Sequence, residues 1–358
     1  MRVYNFSAGP SMLPLPVLEK VQKDFLSYGG TGMSVTEMSH RSKPYEAINA
    51  EAESLLRKLM GISEEYDVIF IQGGASTQFE AIPLNLCAHK KADYVVTGVF
   101  SEKAFKEAGK FTDAKIAASS KDKSFTYIPR LEKSMFRADA DYVHICYNNT
   151  IIGTRFRAAP DTGAVPLIAD MSSMILSEEV DVSKFSVIYA GAQKNIAPAG
   201  VTIVIVKKGL ANAPSPLCPT MLKWQTQINE KSLYNTPPAF STYMAMEVFK
   251  WLDGLGGVKA VQKMNEEKAN LLYDFIDNSA FYQNKVEKEF RSIMNVPFVS
   301  PSEELDNQFV SEAAKLGLIA LKGHRLVGGM RASIYNAMPK EGIKALIEFM
   351  KKFEKNNK

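Results

Sequence analysis

Cysteine is scarce in this chain, and its few cysteines do not suggest a disulfide framework. The sequence has 3 cysteines among 358 residues, and Cys87, Cys146 and Cys218 lie far apart. This odd number and wide spacing are typical of a protein from a reducing compartment. Neither the cysteines nor the 4 histidines show the close spacing of a metal site, so we expect no bound metal.

Long apolar runs and dense blocks of basic charge are also missing. The longest strongly apolar stretches, such as 201–206, are far shorter than the roughly 20 residues that span a bilayer. The start MRVYNFSAGPSMLP has no apolar signal core. The net charge of +4 comes from scattered lysines, unlike the clustered basic faces of nucleic-acid-binding proteins. We therefore expect a cytoplasmic protein that binds neither membranes nor nucleic acids.

The chain does contain a regular alternation of strand-like and helix-like segments. With 46% hydrophobic and 23% charged residues, it has the composition of a globular protein of about two domains. Strand-like apolar runs occur at 66–72, 92–97, 142–147, 164–169, 186–189 and 201–206, and helical spacing occurs at 15–28, 45–60 and 78–87. The alternation predicts an α/β fold with a mostly parallel sheet covered by helices.

The pattern changes near LDGLGG, residues 252–257. Beyond this point, amphipathic helical patterns at 258–276, 307–316 and 340–353 surround short strands such as 330–335. They predict a smaller C-terminal α+β domain. We therefore divide the chain into an N-terminal segment 1–15, a large domain 16–254 and a small domain 255–358.

A lysine and an aspartate each stand where an apolar strand gives way to a loop. Lys194 closes the strand that contains YAG, and Asp170 follows the apolar run 164–169. Ligands of open α/β sheets bind at this edge. An amine that can form a Schiff base and a carboxylate that can hold a pyridinium proton are what pyridoxal phosphate (PLP) requires of its protein. The pair therefore predicts PLP as a cofactor.

The turn QGGAST, residues 72–77, joins a strand to a helix and contains two glycines and two hydroxyl groups. Backbone N–H groups at a helix start favour a phosphate. Many such turns are glycine-rich, so the turn predicts a cofactor-phosphate site only in combination with Asp170 and Lys194. Phe100 lies at another strand exit and can stack on a flat ring, although a single phenylalanine is more often part of a core.

Two basic clusters lie far apart in the sequence. Each contains a His-Arg pair, and the second includes a further arginine: His40, Arg41, His324, Arg325 and Arg331. Arginine binds a carboxylate or phosphate through two parallel hydrogen bonds, and histidine adds a donor whose charge depends on its surroundings. Either pair alone is typical of a solvated turn. Because two of so few histidines directly precede an arginine, we favour a substrate with two or three negative charges.

Together these motifs resemble the phosphoserine aminotransferase family, which consists of class V, fold-type I PLP enzymes. The resemblance runs from one end of the chain to the other through NFSAGPSMLP, GMSVTEMSHRS, QGGAST, GAQKN, SLYNTPP and KGHRLVGGMRASIYNA. It implies a mostly parallel seven-stranded sheet flanked by helices, with PLP bound to the large domain. It also implies amino transfer between L-glutamate and 3-phosphooxypyruvate, which gives O-phospho-L-serine and 2-oxoglutarate in L-serine biosynthesis.

The resemblance implies a role for each candidate residue. Lys194 is expected to hold PLP as a Schiff base and to move a proton, and Asp170 to keep the ring nitrogen protonated. The cofactor is expected to contact Ala75, Ser76, Phe100, Thr150 and Gln193 of one chain and Asn235 and Thr236 of a second. Arg331 is expected to bind the substrate α-carboxylate. The distal anion is expected to meet His324 and Arg325 of one chain and His40 and Arg41 of the other, which implies a homodimer with shared active sites.

Two positions depart from the family pattern. Phe100 stands where tryptophan is common, which predicts weaker cofactor binding with activity retained. Ser76 stands where some family members have an arginine that extends the substrate phosphate site, and this marks a subgroup. Asn235 and Thr150 lie in turn sequences that are ordinary outside this context.

Three other functions are compatible with parts of the sequence. The nearest is a class V transaminase for unphosphorylated substrates, of the serine–glyoxylate type, which differs mainly in lacking the paired His-Arg clusters. A cysteine desulfurase would need a reactive cysteine in the small domain, and the sequence has none after Cys218. A catalytically silent binding protein would be expected to lack Lys194 or Asp170. The sequence leaves open whether the enzyme also serves the 4-phosphohydroxy-L-threonine step of pyridoxine biosynthesis.

Overall fold

The computed structural model describes residues 2–357, and over this range three β-sheets are surrounded by helices. The strands are β1 (Tyr4–Asn5), β2 (Tyr66–Gly73), β3 (Lys91–Val96), β4 (Asp113–Ser119), β5 (Tyr142–Cys146), β6 (Leu167–Asp170), β7 (Val187–Gly191), β8 (Gly200–Lys207), β9 (Asn295–Phe298), β10 (Leu318–Ile319) and β11 (Met330–Ser333). The α-helices are α1 (Leu15–Asp24), α2 (Lys43–Met60), α3 (Ala75–Leu86), α4 (Val99–Ala108), α5 (Trp224–Asn229), α6 (Ala239–Gly254), α7 (Gly257–Asn278), α8 (Glu303–Lys315) and α9 (Lys340–Asn357).

The central sheet has seven strands in the order β2-β8-β7-β6-β5-β3-β4. Strand β8 runs antiparallel to both of its neighbours, whereas the other adjacent pairs are parallel. The connection from β7 to β8 covers only residues 192–199, which is shorter than the dozen or so residues that a parallel crossover needs. Strand β8 must therefore turn back beside β7. The predicted mostly parallel, helix-flanked sheet is confirmed.

Helices cover both faces of this sheet. Helices α3 and α4 pack together on one face, and α2 and α6 pack together on the other. Strands β5, β6 and β7 are buried along their whole lengths. This double coverage explains why these strands appear in the sequence as nearly continuous apolar runs.

Two smaller sheets lie outside the central one. Strand β9 pairs antiparallel with β11, and β1 pairs parallel with β10, so Tyr4 lies opposite Leu318. Just after β1, the Phe6 N–H donates to Ile319 at 3.0 Å and the Phe6 carbonyl accepts from Ser333 at 3.2 Å. The segment that follows β1 is therefore held between β10 and β11. The predicted boundaries at residues 15 and 254 stay a prediction.

Several elements differ from the predicted ones. Helix α3 begins at Ala75 rather than at residue 78, and α4 begins at Val99, so Phe100 lies inside a first helical turn. Strand β6 covers Leu167–Asp170 instead of 164–169, because Pro166 has no N–H to donate to a sheet. Helix α6 has no clear apolar face because most of it is buried, and the edge strand β4 is too weakly apolar to stand out.

Residues 2–357 contain neither a membrane-spanning helix nor a cluster of metal ligands. No helix in this range is long and apolar enough to cross a membrane. In the same range, no group of three or more His, Cys, Asp or Glu side chains is placed to hold a metal ion. The expected cytoplasmic location stays a prediction.

Lys268 on α7 stabilises the chain segment that follows β11. Its side chain is 3% exposed, and its amine donates to the carbonyl oxygens of Ile334 at 3.1 Å, Tyr335 at 2.9 Å and Met338 at 3.0 Å. No carboxylate forms an ion pair with it among the described residues. Burial lowers the pKa of Lys268 to about 7.

We expect Lys268→Met to lower the free energy of unfolding by about 3 kcal/mol, because it leaves buried carbonyl groups without donors. Lys263→Met is the control, since Lys263 is exposed on the same helix, and we expect it to change stability by less than about 0.5 kcal/mol. Urea unfolding of both variants measures the difference. Equal losses would contradict this role of Lys268.

The same comparison has an expected pH dependence. Between about pH 7 and pH 10, the unfolded chain binds more protons at Lys268 than the folded chain does, because the folded-state pKa is lowered. The contribution of Lys268 to the free energy of unfolding therefore rises with pH between about pH 7 and pH 10. The difference between wild type and Lys268→Met should grow as the pH rises.

Candidate active site

The carboxyl ends of the parallel strands meet at one edge of the central sheet, and most of the predicted site residues lie there. Asp170 is the last residue of β6, and Lys194 lies in the turn after β7. Thr150 follows β5, and α3 begins directly after β2. The edge is where open α/β sheets bind ligands. The sheet topology therefore brings together residues that are far apart in the sequence.

The amine of Lys194 contacts two of the predicted site residues. Its Nζ donates to Oγ1 of Thr150 at 2.7 Å and lies 5.1 Å from the centroid of the Phe100 ring. A cation over an aromatic face is stabilised electrostatically. The three side chains thus surround a common space at the end of β7.

Burial lowers the pKa of the Lys194 amine below its usual range. The negative charge of Asp170 partly offsets this effect, and the nearby Arg331 adds to it. A lysine with a lowered pKa has a larger neutral fraction at a given pH and is therefore a better nucleophile. This property suits a lysine that forms a bond to a carbonyl carbon.

The N-terminal segment holds the backbone of Lys194 in place, a contact that the sequence did not predict. The N–H of Ser11 donates to the carbonyl of Gln193 at 2.9 Å, and its hydroxyl donates to the carbonyl of Lys194. Gly9 has a φ of +144°, and a Cβ there would lie 3.3 Å from Cγ of Gln193. Ser11 belongs to the SAGPS motif, which was the available signal.

Asp170 is buried, and a backbone donor holds one of its carboxylate oxygens. Its Oδ1 accepts the N–H of Ser172 at 2.9 Å, and the Ser172 hydroxyl in turn accepts the N–H of Gly191 at 3.1 Å. On the adjacent strand, Tyr189 is the register partner of Asp170. The carboxylate is thus fixed where it can meet a positively charged ring nitrogen.

The start of α3 forms a cradle for an anion. Ala75 and Ser76 occupy the first turn of the helix, where backbone N–H groups have no intrahelical acceptor. A Cβ at Gly191 would lie 2.7 Å from Oε1 of Gln193 and 3.4 Å from the nitrogen of Ala75. Glycine at 191 therefore keeps open a space between the Gln193 side chain and the helix start.

Arg331 on β11 carries positive charge to the opposite side of the cleft. Its Nη1 donates to the carbonyl of Thr150 at 3.3 Å, while its buried Nε has no hydrogen-bond partner among the described residues. Burial lowers the pKa of the guanidinium. A desolvated guanidinium without an anionic partner raises the free energy of the folded protein, and a bound anion would offset this cost.

His324 and Arg325 lie in the loop between β10 and β11, beside Arg331. The loop closes on itself, because the N–H groups of Val327 and Gly328 donate to the His324 carbonyl at 2.8 and 2.9 Å. Burial lowers the pKa of His324, and the positive charges of Arg331 and Arg325 lower it further. An anion bound here would raise the pKa of His324 again, because it would counter those positive charges.

In a single chain, the four remaining predicted residues form no hydrogen bond with the described residues of the cleft. They are His40, Arg41, Asn235 and Thr236. Arg41, Asn235 and Thr236 are exposed, and the buried Nε2 of His40 has no partner among the described residues. Within residues 2–357, no hydrogen bond or ion pair joins any of the four to Lys194 or Arg331.

The arrangement combines an amine, a carboxylate, an anion cradle and an unpaired guanidinium in one cleft. The model of the class-V aminotransferase family matches residues 3–346. The chain therefore belongs to the class-V aminotransferases.

More similar proteins define the family within that class. A phosphoserine aminotransferase from Bacillus thuringiensis subsp. konkukian is 55% identical over 358 residues, 100% of this chain and 99% of that protein. A phosphoserine aminotransferase structure from Bacillus circulans subsp. alkalophilus is 48% identical, with a TM-score of 0.97 over 100% of this chain and 99% of that one. Another structure, which describes radiation damage of the Schiff base in phosphoserine aminotransferase, is 50% identical with a TM-score of 0.96 over 99% of both chains. Within the class-V aminotransferases, the chain is a member of the phosphoserine aminotransferase family.

Proposed function

We propose that this chain transfers the amino group between L-glutamate and 3-phosphooxypyruvate with PLP as cofactor, which yields O-phospho-L-serine and 2-oxoglutarate. The observation that carries the proposal is the grouping of Lys194, Asp170 and the unpaired Arg331 at the carboxyl edge of the central sheet. Membership of the phosphoserine aminotransferase family supports the same substrates. The serine–glyoxylate type of transaminase has no comparable support.

The residues at the cleft fit PLP. The Lys194 amine would hold the cofactor, the carboxylate of Asp170 would face its ring nitrogen, and Phe100 would stack on the ring. Ala75, Ser76 and Gln193 line the space that Gly191 keeps open, which suits the cofactor phosphate. When bound, PLP supplies an electron sink for the carbanion that forms when the substrate loses its Cα proton.

The chain's own groups would handle protons and orientation. Asp170 would hold a proton on the ring nitrogen, and its fixed contact with Ser172 limits the directions in which it can point. The amine of Lys194, once released, lies beside Thr150 and would carry the proton that leaves and returns to the substrate. Arg331 would bind the α-carboxylate, because its partly buried guanidinium has no anionic partner within residues 2–357.

A phosphorylated substrate accounts for the excess of positive charge around the cleft. The charges of Arg331 and Arg325 lower the pKa of His324, so both guanidinium groups act on this imidazole. An amino acid that ends in a phosphate brings negative charge at both ends. Several separate cations can also accept the γ-carboxylate of glutamate, which has fewer oxygens and less charge than a phosphate, and one rigid arginine would do this less well.

A homodimer would complete the site. Exposed apolar side chains lie close in sequence to the four residues that one chain leaves apart, and they include Leu26 at 82%, Phe25 at 47%, Tyr234 at 45% and Met33 at 44% exposure. Apolar exposure of this kind is typical of an interface. Across a two-fold axis, such a patch would cover its copy and bring His40, Arg41, Asn235 and Thr236 to the other chain's cleft.

The test of function is a titration of the visible spectrum of the purified, PLP-loaded protein. We expect O-phospho-L-serine to remove the visible band rapidly, whereas L-serine and L-cysteine at the same concentration leave most of it. The phosphate accounts for the preference, since it adds charge-assisted hydrogen bonds. A preference for L-serine would instead favour the transaminase for unphosphorylated substrates, and a protein with no visible band would contradict PLP binding.

Arg41 provides a test of the shared site. Arg41→Ala should raise the KM for O-phospho-L-serine by at least about tenfold, the effect of losing one charge-assisted contact, without loss of PLP. Lys43→Ala is the control, because Lys43 is exposed two positions along the chain. Loss of PLP from Arg41→Ala would point to a structural role instead.

Mixing two defective variants tests whether the site is built from two chains. Lys194→Ala should have no measurable turnover, and Arg41→Ala should be impaired at low substrate concentration. A hybrid dimer would contain one site with both an intact Lys194 and an intact Arg41, so mixed subunits should regain activity. If subunit exchange is demonstrated and activity does not rise, the two residues serve the same chain's site.

A further inference from the structure

A row of polar aromatic side chains crosses the central sheet toward Asp170. In the strand register, Tyr94 on β3 lies opposite His144 on β5, and Asp170 on β6 lies opposite Tyr189 on β7. Register partners in parallel strands project from the same face of a sheet. Tyr94, His144 and Tyr189 are each no more than 1% exposed. The row therefore lies inside the protein, beneath the cleft.

The members of this row contact one another closely. Nε2 of His144 lies 2.9 Å from the hydroxyl of Tyr189. The ring of Tyr94 stacks on that of His144, with centroids 4.9 Å apart and an interplanar angle of 27°. Buried polar groups cost free energy unless they form hydrogen bonds. These contacts fix the imidazole and the phenol in one relative orientation.

The direction of the proton between His144 and Tyr189 follows from their surroundings. Burial lowers the pKa of His144 to about 3, so the imidazole is neutral near pH 7. Its Nδ1 has no hydrogen-bond partner among the described residues. A proton on Nδ1 would be a buried donor without an acceptor, whereas a proton on Nε2 is donated to the Tyr189 oxygen. The Nε2–H form is therefore favoured.

That direction leaves the hydroxyl proton of Tyr189 free for another acceptor. Burial raises the pKa of Tyr189 well above its usual range, and the nearby Asp170 raises it further, so the phenol keeps its proton. The Cys146 thiol and the Tyr94 hydroxyl also lie near Tyr189, and burial raises the pKa of both groups. Asp170 is thus the available anionic acceptor, and a hydrogen bond to a carboxylate is about twice as strong as a neutral one.

We propose that Tyr189, oriented by His144, is a positioning residue that donates a hydrogen bond to Asp170 and holds this carboxylate in one orientation beneath the cofactor ring. This inference rests on the proposed function. The N–H of Ser172 binds Oδ1 of the same carboxylate, so the two donors would fix Asp170 from two directions. A carboxylate held in this orientation would keep facing the ring nitrogen of the cofactor and would stabilise the positive charge there.

The test compares Tyr189→Phe with Tyr94→Phe in the PLP-loaded protein. Both changes remove one buried hydroxyl from the same row, but Tyr94 pairs with the Tyr142 hydroxyl at 2.7 Å rather than with the path to Asp170. The first readout is the midpoint pH of the visible absorption band, and the second is kcat for amino transfer with O-phospho-L-serine.

For Tyr189→Phe we expect the midpoint pH to rise by about one unit and kcat to fall about tenfold, the size expected for one charge-assisted hydrogen bond. The midpoint rises because a less positive ring withdraws less charge from the bound Lys194 nitrogen. Tyr94→Phe should change neither value. An unchanged midpoint in Tyr189→Phe, or an equal shift in both variants, would overturn the proposal.

A second pair of variants serves if Tyr189→Phe does not fold. His144→Gln retains an amide N–H that can donate to Tyr189, whereas His144→Leu does not, so only the leucine variant should shift the midpoint. Equal midpoints in these two variants would overturn the proposal. The unmodified protein distinguishes failure of this inference from failure of the proposed function. If it has a normal visible band and normal turnover, and the variants show no shift in midpoint pH, only the role of Tyr189 is rejected. Absence of both in the unmodified protein would reject the proposed function and this role together.

Discussion

The short connection between β7 and β8 is the constraint on which the cleft depends. Because residues 192–199 cannot make a parallel crossover, β8 returns antiparallel beside β7, and the turn that contains Lys194 stays at the carboxyl edge of the sheet. The same edge receives Asp170 from β6 and the start of α3 from β2. A longer connection would let the lysine lie far from the carboxylate, and the two would no longer share one space.

Features encoded within a few neighbouring residues could be predicted, and those that depend on distant contacts could not. Asp170 and Lys194 could be predicted as site residues because each follows an apolar run, and the run itself predicts a strand. The contact between Ser11 and the Lys194 carbonyl joins residues 183 positions apart, and the SAGPS motif that contains Ser11 does not indicate its partner. Helix α6 was missed because burial on all sides removes the periodicity by which helices are found. The alignment of His144 with Tyr189 depends on strand register, which the sequence does not state.

The cleft concentrates positive charge that Asp170 offsets only in part among the described residues. Burial lowers the pKa values of both Lys194 and Arg331, and Nε of Arg331 lacks a partner among the described residues. Desolvated cations of this kind raise the energy of the empty site and lower that of a site filled with anions. The protein therefore gives up some stability at this edge for affinity toward negatively charged groups.

The pairing of β1 with β10 sets an order for assembly during synthesis. Tyr4 and Asn5 leave the ribosome long before Leu318 and Ile319, the residues with which they pair. Until those later residues are made, the early segment that carries Ser11 has no strand to hold it, and the backbone around Lys194 lacks one of its supports. The large sheet can form while the chain is still growing, but its cleft becomes complete only after β10 and β11 have been made.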